Sequence, residues 1–195
     1  MSARVWTEAG TIFFLDALDR LGDADLDAPT LLPSWTRRHL IAHVHFNALA
    51  LCRLVSWAAT GVESRMYASP DQRGAEIEEG ATLPPQQLRG LVRESASGLA
   101  AALDALSPEA WSTEVVTAQG RTVPATEIPW MRAREVMVHS VDLDADVTFE
   151  DLPSDFTVAL LVDVVRKRAG AGEGPALAAW LSGRVDKAPT LGPWL

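Results

Sequence analysis

Apolar residues recur at three- and four-residue spacing along most of this chain, which predicts a mainly α-helical protein. Ser34 or Thr36 is expected to cap the second helix and Gly61 to end it, while Thr126 and Ser154 are expected to cap the fourth and fifth long helices. The predicted helices cover residues 4–21, 36–60, 84–106, 126–144, 154–168 and 175–183, with one more short helix within the loop at 66–83.

The segment 113–124 departs from this helical pattern. It contains Val115, Val116 and Val123 around Gln119-Gly120, which predicts a short hairpin. A Gly-rich break at 169–174 separates the last two helices. Four long amphipathic helices with a small C-terminal appendage indicate a helix bundle.

Composition and charge narrow the class of protein. The 195 residues are 48% hydrophobic and 22% charged, which is typical of a soluble globular chain. The net charge of −9 argues against a nucleic-acid partner, which would be held by basic residues at its phosphates. We expect no membrane association and a cytoplasmic location, because no basic-then-apolar leader is apparent and Cys52 is the single cysteine.

Glu135 and His139 are the polar residues that most need an explanation. They lie four residues apart in a segment rich in Val and Met, so a helix directs both side chains from the same face. Burying either group unpaired would be unfavourable by about 1–3 kcal/mol or more. His39 and His43 form a similar one-turn pair on the second helix, and a bundle can bring two such pairs together.

Two imidazoles and a carboxylate suit a catalytic zinc ion with an open position, although other divalent transition metals bind similar ligands and a satisfied core histidine is the commoner alternative. His45 and Cys52 point about 180–200° away from His43 around the helix, so they cannot join a site built on it. Helical spacing leaves both His39 and His43 as partners for Glu135 and His139.

Three further residues each allow a functional and a structural interpretation. Arg73 and Arg184 could grip a substrate carboxylate with two hydrogen bonds, or could be solvated surface arginines. Asp142 could orient the imidazole of His139, or could be an ordinary acid at the end of a helix. Trp35, like most of the tryptophans, is interpreted as a core residue.

Four separated segments resemble the mycothiol-dependent maleylpyruvate isomerases of the DinB-like metalloprotein superfamily, in the same order over roughly residues 5–170. They are SWTRRHLIAHVHFNALAL (34–51), MYASPDQRGAEIEEGA (66–81), TAQGRTVPA (117–125) and WMRAREVMVHSVDL (130–143).

The resemblance implies a DinB-like four-helix bundle that holds Zn²⁺ through His43, Glu135 and His139. It also implies mycothiol as the thiol cofactor, a catalytic and substrate-binding role for Arg73, and substrate binding by Arg184. Members of the family carry a larger C-terminal α/β domain, whose strands are missing between the Gly-rich break and Gly183-Arg184. We therefore expect a metal-binding bundle over residues 1–150 and a truncated C-terminal region over 151–195.

The expected activity is cis–trans isomerisation of maleylpyruvate to fumarylpyruvate, as in gentisate breakdown. A thiolate would add to the conjugated double bond, the resulting single bond would rotate, and elimination of the thiol would give the trans isomer. The expected partners are a small dicarboxylate substrate and mycothiol, and the protein is expected to act as a monomer. The alternatives are another mycothiol-dependent S-transferase and a non-catalytic zinc-binding bundle.

Overall fold

Helices account for most of the fold, as the spacing of apolar residues predicts. A computed structural model describes residues 2–69 and 71–192. The chain divides into two compact units, Met1–Phe149 and Glu150–Leu195. The assignment of the first unit as a metal-binding domain and of the second as a truncated remnant stays a prediction.

The described residues of the first unit form five α-helices and a hairpin. The helices are α1 (Ala3–Arg20), α2 (Arg37–Thr60), α3 (Gln72–Ala81), α4 (Pro85–Asp104) and α5 (Ile128–Asp142), and the strands are β1 (Glu114–Val116) and β2 (Thr122–Pro124). Single 3₁₀ turns occupy Ala24–Asp27, Ala110–Ser112 and Ala125–Glu127. The mainly α, DinB-like fold is confirmed, and α1, α2, α4 and α5 are its four long helices.

Helix α2 is the central element, because it packs against α3, α4 and α5 while α1 packs along α5. Its apolar side chains meet those of α4, the hairpin and the start of α5 in one core cluster that includes Leu51, Leu54, Leu99, Leu103, Val115 and Ile128. Among the described helices only α2 has the length and apolar composition to cross a membrane, and 67% of its most apolar window is buried. A buried core helix passes the same test.

The observed ends of the helices show which helix caps could be predicted from local sequence signals. Gly61 ends α2 in a left-handed conformation with φ of 72°, as predicted, and Thr36 is the N-cap. The expected cap Thr126 instead lies within the 3₁₀ turn, and Glu127 is the N-cap of α5. Ser154 is the first helical residue of α6 rather than its cap, because the turn begins one residue earlier, at Pro153.

The hairpin at 113–124 is confirmed. Strands β1 and β2 are antiparallel, with Val115 opposite Val123. Gly120, at φ of 78°, allows the left-handed turn that joins them.

Helix α5 makes an unusually close approach to α1 at Gly10. A Cβ atom at Gly10 would lie 2.6 Å from Cγ2 of Val136 and 2.9 Å from Cγ of Met137. The missing side chain lets α1 lie directly on the Val-Met face of α5, so that α5 can direct its polar residues towards α2.

The C-terminal end of α5 is fixed by Arg37, at the start of α2. Its Nε donates to the carbonyl oxygen of Leu143 at 2.7 Å and its Nη2 to that of Asp144 at 2.5 Å. A cation at a helix C-terminus also interacts favourably with the helix dipole. The backbone N–H of Leu31 donates to the carbonyl of Asp142 at 3.1 Å, so the segment that leads into α2 holds the end of α5.

The second unit contains α6 (Ser154–Arg168) and α7 (Gly174–Leu181). Between them Ala169–Glu173 forms a π-helical turn in which Gly172 has φ of 92°, which confirms the predicted Gly-rich break. Arg168 donates from Nη1 to Oε2 of Glu173 at 2.9 Å across this turn.

Candidate metal centre

Helices α2 and α5 direct three metal-capable side chains to one point inside the bundle: His43, Glu135 and His139. Nε2 of His43 lies 2.8 Å from Oε2 of Glu135, and Nε2 of His139 lies 3.2 Å from the same oxygen. One ligand atom from each residue lies within 4.8 Å of the others. The two imidazole rings stand almost perpendicular, with centroids 4.9 Å apart.

The donor set fits a divalent transition metal. Both histidines are only 3% exposed, and Nε2 of His139 has no hydrogen-bond partner although it is buried. An unpaired buried nitrogen that faces another imidazole and a carboxylate is well placed to be a metal ligand. Two histidines and one glutamate are also a donor set of catalytic zinc sites that keep an open position.

The charges of the three residues follow from their contacts. Burial lowers the pKa of His43, so this ring is neutral at pH 7. Burial also opposes the charged form of His139, but the carboxylates of Asp142 and Glu135 outweigh it and raise its pKa to about 9. Burial would raise the pKa of Glu135, yet its close contacts with the imidazoles of His139 and His43 hold that pKa well below the usual value.

Asp142 lies behind His139, away from Glu135. Its Oδ2 accepts a hydrogen bond from Nδ1 of His139 at 2.8 Å. This contact keeps a proton on Nδ1 and directs Nε2 to the centre, which is the arrangement that metal-binding histidines commonly show. The geometry therefore supports the functional interpretation of Asp142 over that of an ordinary helix-end acid.

His39 is held outside the centre by the N-cap of α2. Its Nδ1 accepts from the backbone N–H of Thr36 at 3.3 Å and lies 2.7 Å from the hydroxyl of that residue. Its Nε2 lies 3.6 Å from Glu78. Of the two histidines that helical spacing left open, the structure therefore brings only His43 to Glu135.

His45 and Cys52 also lie away from the centre, as helical geometry requires. Nδ1 of His45 is 3.0 Å from the carbonyl oxygen of Leu91, on α4. Cys52 packs against the apolar core cluster, and burial raises the pKa of its thiol. A thiol in that environment stays protonated at neutral pH and is a poor nucleophile.

Arg73 lies at the rim of the centre. It occupies the first turn of α3, and α3 packs closely on α2 because Gly80 has no side chain: a Cβ there would lie 2.7 Å from Cβ of Ala42. Nη2 of Arg73 is 3.5 Å from Nδ1 of His43. The residue is exposed, so its guanidinium is available to a ligand beside the metal-capable cluster.

Sequence reasoning gave Trp35 and Tyr67 no role here. Trp35 is only partly buried: its ring lies 5.4 Å from that of His43, and the guanidinium of Arg73 lies 5.9 Å from its centroid. Burial raises the pKa of Tyr67 despite the opposing charge of nearby Arg73, so its phenol stays protonated. Their positions in the sequence could have indicated a role, since each lies in a loop next to a helix that carries a candidate site residue.

Arg184 belongs to the second unit and follows Gly183, which has φ of 70°. Its Nη1 donates to the carbonyl oxygen of Ser182 at 2.5 Å, and the residue is exposed. Its role in substrate binding stays a prediction.

The fold and the cluster together indicate a metal-binding protein of the DinB-like helix-bundle class, with two histidines and a glutamate in the interior of the bundle. Residues 7–144 match the model of the mycothiol maleylpyruvate isomerase N-terminal domain. The chain belongs to this family, and the prediction of an isomerase is confirmed at that level.

Two solved structures support the same assignment. One is described as the crystal structure of the mycothiol-dependent maleylpyruvate isomerase, and its sequence is 44% identical to that of this chain. The two structures superpose with a TM-score of 0.84, and the match covers 86% of this chain and 70% of the isomerase chain. A crystal structure of a histidine-to-alanine mutant of that enzyme gives a TM-score of 0.83, with the same identity and coverage. The search of curated proteins finds no match.

Proposed function

We propose that this chain converts maleylpyruvate to fumarylpyruvate in a reaction that depends on zinc and mycothiol. The observation that carries the proposal is the convergence of His43, Glu135 and His139, with the buried Nε2 of His139 unpaired, beside an exposed arginine. Membership of the mycothiol maleylpyruvate isomerase family is the reason for proposing maleylpyruvate as the substrate and mycothiol as the thiol cofactor.

His43, Glu135 and His139 would hold the zinc ion, and Asp142 would fix the tautomer of His139. When bound, zinc favours the thiolate form of a thiol, and mycothiol supplies the nucleophile that adds reversibly to the conjugated double bond. The buried carboxylate of Glu135 stays ionised, so it can balance the charge of a divalent ion.

Arg73 would bind and orient the substrate. Its guanidinium can form two parallel hydrogen bonds with a carboxylate, and it lies beside His43, so a dianionic substrate held there is next to the metal-capable cluster. Its positive charge also stabilises negative charge that develops on the substrate when a nucleophile adds. The ring of Trp35 lies beside both groups, with its centroid 5.9 Å from the Arg73 guanidinium and 5.4 Å from the centroid of the His43 ring, and it limits where that guanidinium can move.

The direct test is a spectrophotometric assay with purified protein, zinc, mycothiol and maleylpyruvate. We expect loss of substrate absorbance that requires mycothiol and stops when zinc is removed with a chelator. Equal rates without mycothiol would disprove the proposal. Zinc binding without any turnover would favour a non-catalytic bundle, and turnover of other electrophiles alone would favour an S-transferase.

The ligand set is tested by a matched pair of histidine variants. His43→Ala should lose most bound zinc in elemental analysis, because it removes one of three protein ligands. His39→Ala, one turn away on α2, should keep its zinc and lose only an N-cap contact worth about 0.5–2 kcal/mol of stability. Zinc loss from His39→Ala with retention in His43→Ala would place the centre elsewhere.

The role of Arg73 is tested separately. Arg73→Lys keeps the positive charge but cannot form the bidentate hydrogen bonds to a carboxylate. We expect kcat/KM to fall by about 10–100-fold, because a hydrogen bond to a charged group contributes about 1.5–3 kcal/mol. Zinc content should not change. Unaltered kinetics would return Arg73 to an ordinary surface role.

A further inference from the structure

Helices α1 and α4 line a half-open cavity, apart from the candidate metal centre. The two helices run antiparallel, with Arg4 paired to Asp104 at one end and Arg93 paired to Asp19 nearer the other. Between them lies a cavity of about 450 Å³, and Arg132 of α5 contributes to its lining. None of His43, Glu135, His139 and Arg73 lines it.

Arg132 is a buried cation that forms no ion pair. Burial lowers the pKa of its guanidinium to about 10, and the charge of nearby Glu135 opposes this shift only in part. Arg132 is 1% exposed, and its Nη1 donates to the carbonyl of Val44 at 2.8 Å and to Oδ1 of Asn47 at 2.9 Å. Its Nη2 has no hydrogen-bond partner. In the part of the chain that the structure describes, no carboxylate lies within ion-pair distance of this guanidinium, which is an unfavourable state for a buried charge.

A second arginine in the lining, Arg4, also has a buried guanidinium nitrogen without a hydrogen-bond partner. Nη1 of Arg4 is buried and makes no hydrogen bond, although its Nη2 faces Asp104 and lies 3.8 Å from Glu8. Glu8 is exposed and is the one carboxylate among the described residues of the lining. Arginine therefore exceeds acid in the walls of this cavity, in a chain whose net charge is −9.

The remaining walls are largely apolar. Ile12 and Leu15 of α1 face Ala96, Leu99 and Ala100 of α4 across the cavity. An inorganic anion would satisfy the arginines but leave these apolar side chains uncovered, whereas a hydrocarbon alone would leave the buried guanidinium unpaired. A ligand that satisfies both has one anionic head and an apolar body, and the volume lies in the ordinary range of small-molecule sites.

We propose that the cavity between α1 and α4 is a binding site for a small amphipathic carboxylate, with the carboxylate on Arg132 and the hydrocarbon body along α1 and α4. The site is separate from the metal-capable cluster.

Isothermal titration of the zinc-loaded protein with octanoate tests this proposal, with octan-1-ol and inorganic phosphate as probes of each half of the ligand. We expect one octanoate per chain, and at least tenfold weaker binding of each of the other two probes. Arg132→Gln should weaken octanoate binding by at least tenfold, since it removes the charge-assisted hydrogen bond. Arg20→Gln, an equal change of charge on exposed α1 surface, should have no effect.

Two further variants decide the matter if Arg132→Gln does not fold. Ala96→Leu fills the cavity from α4 and should abolish binding, whereas Ala101→Leu adds the same volume on the exposed face of α4 and should not. Arg73→Gln should also bind octanoate normally. Absence of octanoate binding, equal binding by Ala96→Leu and Ala101→Leu, or loss of binding in Arg73→Gln would each overturn the proposal.

Discussion

The hydrogen bond between Asp142 and His139 gives the sharpest prediction about metal affinity. The carboxylate accepts from Nδ1 at 2.8 Å, and the His139 side chain is only 4% exposed, so water cannot readily replace it. Asp142→Ala removes the acceptor and leaves His139 free to carry its proton on Nε2, the nitrogen that faces the centre. Asp142→Asn keeps an acceptor oxygen but removes the charge.

The expected magnitude follows from the charge and burial of this contact. A hydrogen bond to a charged group contributes about 1.5–3 kcal/mol, and each 1.4 kcal/mol corresponds to about tenfold in affinity. Asp142→Ala should therefore bind zinc about 10–100-fold more weakly, in line with the usual effect of losing such an outer contact. Asp142→Asn should lie between Asp142→Ala and the parent protein.

Competition with a chromogenic chelator measures this affinity directly. Asp144→Asn is the matched control, since Asp144 is an exposed acid two residues further on and has φ of 53°, which asparagine adopts readily. Unchanged zinc affinity in Asp142→Ala would refute the argument. Equal losses in Asp142→Ala and Asp144→Asn would show that the effect is only one of net charge.

Two further predictions concern packing around the centre. Gly10→Ala should lower the free energy of unfolding by about 1–3 kcal/mol, because its Cβ would collide with Val136 and Met137; Gly98→Ala, in open space on α4, should raise it by about 0.5–1 kcal/mol. Urea unfolding measures both, and a stabilised Gly10→Ala would contradict the close approach. Trp35→Leu should raise KM by about two- to fivefold with zinc retained, since it removes a cation–π contact with the guanidinium beside it. Unaltered steady-state kinetics would rule out that role.

Much of the fold was predictable because each helix carries its own local signals. The apolar periodicity of α2, together with Gly61 at its end, fixed that element within a residue or so. The hairpin followed equally from alternating valines and Gly120. The predicted N-caps of α5 and α6 each differ by one residue from the observed ones, because a helix can begin one residue before or after the residue whose side chain favours capping.

The candidate site was predictable only in part. Helical angles correctly separated His45 and Cys52 from His43, but they could not choose between His39 and His43, which share a face. The choice depends on the ring of His39 bonding to Thr36, a contact that spacing does not reveal.

Arg132 was missed for a different reason. It lies three residues before Glu135 and therefore on the same face, yet an arginine in a sequence is usually solvated. Only the packing of α5 against both α1 and α2 shows that the Arg132 side chain is buried.

The hydrogen bonds from Arg37 to the end of α5 have a consequence for any ion that His43, Glu135 and His139 would hold. Glu135 lies 92 residues from His43 in the sequence, yet the two helices that carry them are fastened together by hydrogen bonds that involve no ligand atom. Contacts that do not involve the ion therefore help to hold the two ligand-bearing helices together. A bound ion could leave and return through an already assembled cradle, so the protein would be reloadable with different metals without being unfolded.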